Sequence, residues 1–191
     1  MFFALLTADK KIILPQNGTV NQLAQSMIYA DGFAGGIGQD EVFQTQSITD
    51  NIFRYHANEF LELSAPLSIN LANEIVLYTS GSSGKAKSVN KCFSHLLAEI
   101  ETLERYFGAS LKASCILSTV SHQHIYGLLF KLLWPIWFSH DVIMQAYQYP
   151  EHLCHDVEKF SLENVVLVSS PAHLHRLVQD NIYQEKGIQF T

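Results

Sequence analysis

The 191-residue chain is 48% apolar, enough to build a core, yet only 16% charged, so its surface is either modest in area or partly covered by other structure. Its net charge of −6 excludes broad binding to nucleic acid or anionic membrane, which relies on clustered Lys and Arg, and confines any anion site to a local arrangement. Three widely spaced cysteines, Cys92, Cys115 and Cys154, form no disulfide framework and point to a reducing, cytoplasmic setting.

The apolar start, Met1 to Leu6, is broken by Thr7, Asp9, Lys10 and Lys11, well short of the roughly 20 residues of a membrane span. It lacks a basic leading region and a small-residue cleavage site, so it predicts a buried helix or strand rather than a secretory signal. Lys11 to Leu14 stops at Pro15 as a short strand would, and Val20, Leu23, Ala24, Met27 and Ile28 fall at helical spacing over Val20 to Tyr29. Asp31 to Asp50 is polar and glycine-bearing, which predicts loops with one strand around Val42.

From Glu74 the pattern sharpens. Ile75 to Tyr78 is an apolar run of strand length, and Thr79 to Lys87 (TSGSSGKAK) follows as a loop in which glycine and serine forbid regular structure. Phe93, Leu96, Leu97, Ile100, Leu103 and Phe107 then repeat near 3.6 residues, with Glu99, Glu101 and Glu104 on other faces, and Gly108 ends this amphipathic helix. Three further apolar runs, Cys115 to Leu117, Val142 to Met144 and Val165 to Val168, alternate with helical stretches around Gly127 to Trp137, Glu151 to Phe160 and Ala172 to Gln179. Such alternation predicts an α/β fold with a mainly parallel, helix-covered sheet, whose ligands sit beyond the carboxyl ends of the strands.

The Thr79 loop leaves one such strand end. Thr79, Ser80, Gly81, Ser82, Ser83 and Gly84 offer successive backbone N–H groups and four hydroxyls, while Lys85 and Lys87 add positive charge. Glycines let the backbone approach phosphate oxygens, oriented amides make an anion-binding concavity, and lysine supplies a mobile point charge. A Walker loop is excluded, because Gly81 and Gly84 are only three apart and Lys85 is followed by Ala86 rather than a hydroxyl. A nucleotide-clamping GXXG loop at Gly81 to Gly84 should lie between helices rather than follow a strand, and the chain is acidic. The plainest alternative is an exposed Gly/Ser connection with no ligand.

The stretch Val76 to Lys87 (VLYTSGSSGKAK) resembles the signature loop of the AMP-binding, acyl-adenylate-forming superfamily, which reads aromatic-T-S-G-[ST]-[ST]-G-x-P-K. Ala86 replaces the proline and Ser83 stands where threonine is commoner, but the donors and the terminal lysine remain. Ser118 to Leu128 (STVSHQHIYGL) resembles the next family motif, with His124 three residues before Gly127, and Val165 to Ala172 resembles the strand, turn and helix that precede a later nucleotide-binding segment. The resemblance covers Glu74 to Gln179, and more loosely Ala4 to Leu14.

The resemblance implies that residues 1–191 are part of the large N-terminal domain of an adenylating enzyme, 74–191 forming its phosphate-loop and acyl-pocket portion and 1–73 a less well matched start. It implies that Thr79, Ser80, Gly81, Ser82, Ser83, Gly84 and Lys87 bind the phosphates of ATP, and that His124, Tyr126 and Gly127 border the pocket for a fatty or aryl acid. The acyl-adenylate would pass to a thiol, that of coenzyme A or of carrier-protein phosphopantetheine. The family's magnesium-holding glutamate motif, ribose-binding aspartate and C-terminal catalytic lysine are not found in this sequence. Magnesium would then be held outside the chain, no catalytic set is complete within it, and the chain alone is expected to be inactive without the remainder of the enzyme. The alternative is a non-catalytic nucleotide-binding or scaffold domain.

Other residues carry weaker signals. His152, Cys154 and His155 lie on a predicted helix, but no second pair with metal-site spacing accompanies them, so no metal site is expected. His173, His175 and Arg176 should decorate a helix, Trp134, Pro135 and Trp137 should pack the core, and Cys92 should be a small buried thiol.

Overall fold

Phe2–Thr7 forms a short helix, α1, with Leu6 fully buried, and Ile12–Leu14 forms strand β1 up to Pro15, which has no N–H with which to extend a ladder. Two-residue strands β2 (Phe33–Ala34) and β3 (Ile52–Phe53) pair in parallel. The computed structural model describes residues 2–15, 33–34, 52–53, 68–79, 87–111 and 114–179. The predicted helix Val20 to Tyr29, the strand around Val42 and the loop residues Ser80 to Ala86 lie outside them. The chain divides into two units, Met1–His95 and Leu96–Thr191.

In the first unit, Glu74–Thr79 forms β4, whose Ile75, Val76 and Leu77 are all buried in succession, the mark of a strand covered on both faces. β4 runs parallel to β1, with Ile12, Ile13 and Leu14 opposite Ile75, Val76 and Leu77. Buried Asn73 fixes the approach to it: its side-chain amide donates to Leu6 O at 2.6 Å and its carbonyl accepts the Phe93 N–H at 2.9 Å. Lys11 and Glu74 add an exposed ion pair at 2.7 Å.

One element differs from the sequence expectation. Lys87–Cys92 is a strand, β5, antiparallel to β4 from Glu74 opposite Cys92 to Thr79 opposite Lys87. Its Lys, Ser and Asn hide the alternation of a strand, and its first four residues are exposed. An edge position explains this, because among the described residues the strand has one neighbour in the order β1-β4-β5, and polar and lysine residues are suited to an exposed edge.

The predicted amphipathic helix is present as α2, Phe93–Phe107, with Phe93, Leu96 and Ile100 fully buried, and a 3₁₀ turn, Gly108–Leu111, follows it. The second unit is built on β6 (Cys115–Ser118), β7 (Asp141–Ala146) and β8 (Val165–Val168), all parallel in the order β7-β6-β8. Between β6 and β7 comes a helical run of three parts: α3 (Ile125–Gly127), a π-helical segment (Leu128–Leu133) and α4 (Trp134–Trp137). α5 (Pro150–Lys159) turns Leu153 and Cys154 inward onto Leu117 and Tyr147, and α6 (Pro171–Gln179) follows β8.

Among the described residues the architecture is mixed helix and strand with three small sheets, compatible with the α/β class expected. Their pairings are parallel except for β4 with β5. No helix among these residues is long and apolar enough to cross a membrane.

Candidate functional site

The ends of the Ser/Gly loop are fixed by a strand pair. Thr79 closes β4 and Lys87 opens β5 directly across from it, a separation of about 4.5–5.5 Å between Cα atoms in an antiparallel ladder. The seven residues 80–86 therefore connect two strands that pair with one another. This closing pair lies at the carboxyl end of β4, and parallel β1 ends on the same side. Lys87 is exposed there. Ser80, Gly81, Ser82, Ser83 and Gly84 lie outside the described residues.

The second motif belongs to the other unit, where the loop after β6 starts at the carboxyl edge of the parallel sheet. Three strand ends are sewn together at that edge. The Tyr147 N–H donates to Ser118 O at 2.9 Å, the Thr119 N–H to Val168 O at 3.0 Å, and the Thr119 and Ser169 hydroxyls pair at 2.8 Å. Ser118 is fully buried, its Oγ donating to Val120 O at 3.0 Å while accepting the Val120 N–H at 3.1 Å.

The turn that follows is held by Ser121. Its carbonyl accepts the His124 N–H at 3.2 Å and its Oγ accepts the Gln123 N–H at 3.2 Å. His124, extended at φ −99° and ψ 148°, is the N-cap of α3, and its carbonyl accepts the Leu128 N–H at 2.7 Å. Gly127 lies so close to this turn that a Cβ there would sit 2.1 Å from Ser121 O. A glycine is required by that approach rather than by its dihedral angles, since φ is −68°. His124 and Tyr126 both reach solvent, and the Tyr126 ring stacks on Phe130 at 4.5 Å, with Trp134 beyond it at 5.9 Å.

Sequence reasoning passed over Lys131, which is only 1% exposed within the π-helical segment. Burial pushes its pKa down to about 8. His122 still reaches solvent, yet loss of hydration first and the Lys131 charge second hold its pKa below the ordinary value. Lys131 lies among leucines in the helical stretch expected around Gly127 to Trp137, and nothing in that stretch singles it out. A π-helical turn, in which the Trp134 N–H reaches back five residues to Leu129 O, cannot be read from that spacing.

Other sequence candidates fall into structural roles. Trp134 and Pro135 are buried as expected, but Trp137 is 38% exposed and so is not a core residue. Trp134 Nε1 donates to Glu104 Oε2 at 2.8 Å, and His140 Nε2 meets the same oxygen at 2.7 Å. Cys154 is buried while His152 and His155 on the same helix are exposed, which separates the thiol from both imidazoles. Cys92 is half-buried, and none of the three cysteines forms a disulfide. Ser170 accepts the His173 N–H at 3.4 Å, and its Oγ lies 2.8 Å from His173 Nδ1, a helix-capping arrangement at the start of α6. Among the described residues no three His, Cys, Asp or Glu side chains cluster as a metal site.

Comparison of the chain with family models, with curated protein sequences and with solved structures finds no match.

Proposed function

We propose that this chain is part of the N-terminal domain of an AMP-forming acid–thiol ligase. Thr79, Ser80, Gly81, Ser82, Ser83, Gly84 and Lys87 hold the β- and γ-phosphates of ATP, and His124, Tyr126 and Gly127 border the acid. The observation that carries this reading is the order of residues from Thr79 to Lys87, a glycine and hydroxyl tract ending in lysine. Its closure by the β4/β5 pair at the carboxyl end of parallel β1 and β4 supports it, because that edge is where α/β sheets bind ligands.

In the reaction, an oxygen of the carboxylate attacks the α-phosphorus of ATP, the bond to the β-phosphate oxygen breaks, and pyrophosphate leaves. A thiolate of coenzyme A or of a carrier-protein phosphopantetheine then attacks the acyl carbon and displaces AMP. The share of the loop is electrostatic: amides, hydroxyls and Lys87 stabilise the charge gathering on pyrophosphate. Magnesium would accompany the ATP. The glutamate and lysine motifs of the family are not found in this sequence, so the reading assigns nucleotide binding rather than turnover to residues 1–191.

Thermal melting with ATP and magnesium tests the reading. Ligand at about 100 times its dissociation constant adds about 2.7 kcal/mol of stability, a readily measured upward shift. Lys87→Ala should abolish most of it. No shift, or an equal shift in the variant, would overturn the phosphate role. Nucleotide binding without carboxylate-dependent pyrophosphate exchange, once the missing motifs are supplied in the same polypeptide, would make this a binding or scaffold domain instead.

A further inference from the structure

The chemistry of Lys131 is used neither by the phosphate loop nor by the His124 turn. Its side chain is buried in the π-helical segment, which packs on β6 and β7. Leu128, Leu129, Leu132 and Leu133 of that segment are buried with it. Among the described residues no carboxylate, carbonyl or hydroxyl bonds to its ammonium, and desolvation is the influence that acts on it. A buried cation without a counter-charge is costly, and a group held in that condition marks a place where a ligand can supply the missing charge.

We propose that Lys131 anchors a binding site for a monocarboxylate, which reaches the buried ammonium past His122. One ammonium in leucine-rich surroundings balances one negative charge. A phosphate would bring a second charge that nothing among the described residues neutralises, and burying it would be unfavourable. The apolar neighbours suit the aliphatic or aryl body of an organic acid. His122 is exposed and its pKa is lowered in part by the Lys131 charge, so the two groups are near one another. The carboxylate site stands on the burial of Lys131 and on its having no partner among the described residues. Identifying its occupant with the acid to be adenylated rests on the ligase reading above.

Two measurements test the site. Hexanoate, benzoate, hexanamide and inorganic phosphate are titrated against the thermal melting of the whole chain and of Lys131→Met. Hexanoate or benzoate should stabilise the wild type, hexanamide and phosphate should not, and Lys131→Met should weaken the acid about tenfold or more, the loss of a charged hydrogen bond. The second measurement needs no variant: acetic anhydride labelling followed by peptide mass spectrometry, in which hexanoate should slow acylation of Lys131 and leave exposed Lys10 unaffected. If hexanoate neither raises the melting temperature nor protects Lys131, the site is refuted whatever ATP does. Protection by phosphate equal to that by hexanoate overturns the monocarboxylate assignment. Protection by hexanoate in a chain that ignores ATP sustains the site and removes the ligase reading.

Discussion

Thr79 and Lys87 lie directly opposite one another on β4 and β5, so the two ends of the Ser/Gly tract are brought to the same hairpin neck. The neck and the tip can therefore be separated by experiment. Deleting Ser82 and Ser83 shortens the loop by two residues and leaves the closing pair in place, a change in loop entropy of well under about 1 kcal/mol. The unliganded protein should melt within a few degrees of the wild type, while the response to ATP is lost. A full response to ATP in the shortened loop would contradict the clamp.

Gly127 makes a second, independent prediction. A Cβ at this position would meet the Ser121 carbonyl oxygen at 2.1 Å, and that obstacle is backbone rather than a movable side chain. Gly127→Ala should therefore destabilise the second unit by about 1–3 kcal/mol, visible as a lower urea midpoint. It should also displace the turn bearing His122 and His124. An unchanged midpoint would show that the turn yields without resistance.

Much of this was legible in the sequence, because apolar periodicity records burial. The runs at Ile75, Cys115, Val142 and Val165 became strands, and the spacing from Phe93 to Phe107 became α2. β5 was not legible, since an edge strand buries little and need not alternate. Lys131 was not legible either, because nothing in a run of leucines says whether a lysine reaches water or ends beneath the helix. The Thr119 to Ser169 pair was hidden for another reason, as it joins residues 50 positions apart that only the parallel register of β6 and β8 brings together.

Glu104 should give the fold an acid-sensitive contact. Burial alone would raise its pKa, but hydrogen bonds from His140 and Trp134 more than offset this and leave it below the ordinary value. A carboxylate depressed in the folded state stabilises above its unfolded pKa, about 4.3, and loses that contribution as pH falls through the folded value. Glu104→Gln should be less stable than the wild type at pH 6, and the difference in urea midpoint should shrink as pH approaches 3. A difference that stays constant from pH 6 to pH 3 would assign the effect to packing rather than charge.

Lys131 predicts the opposite sign in the alkaline range. Its pKa falls from 10.5 to about 8 on burial, so between those values the unfolded chain binds more protons than the folded one, and stability rises with pH. Below pH 8 the full penalty of the buried charge is present, on the order of 3 kcal/mol for a shift of this size. Lys131→Met, which keeps the length of the side chain without its charge, should therefore be more stable than the wild type at pH 7 in the absence of ligand. That advantage should narrow from pH 8 and level off by about 10.5, as the wild-type amine becomes neutral in both states. Urea titrations of the two proteins at pH 7, 8, 9 and 10 measure it, and a variant that is less stable at pH 7 would show that the ammonium is already satisfied within the folded chain.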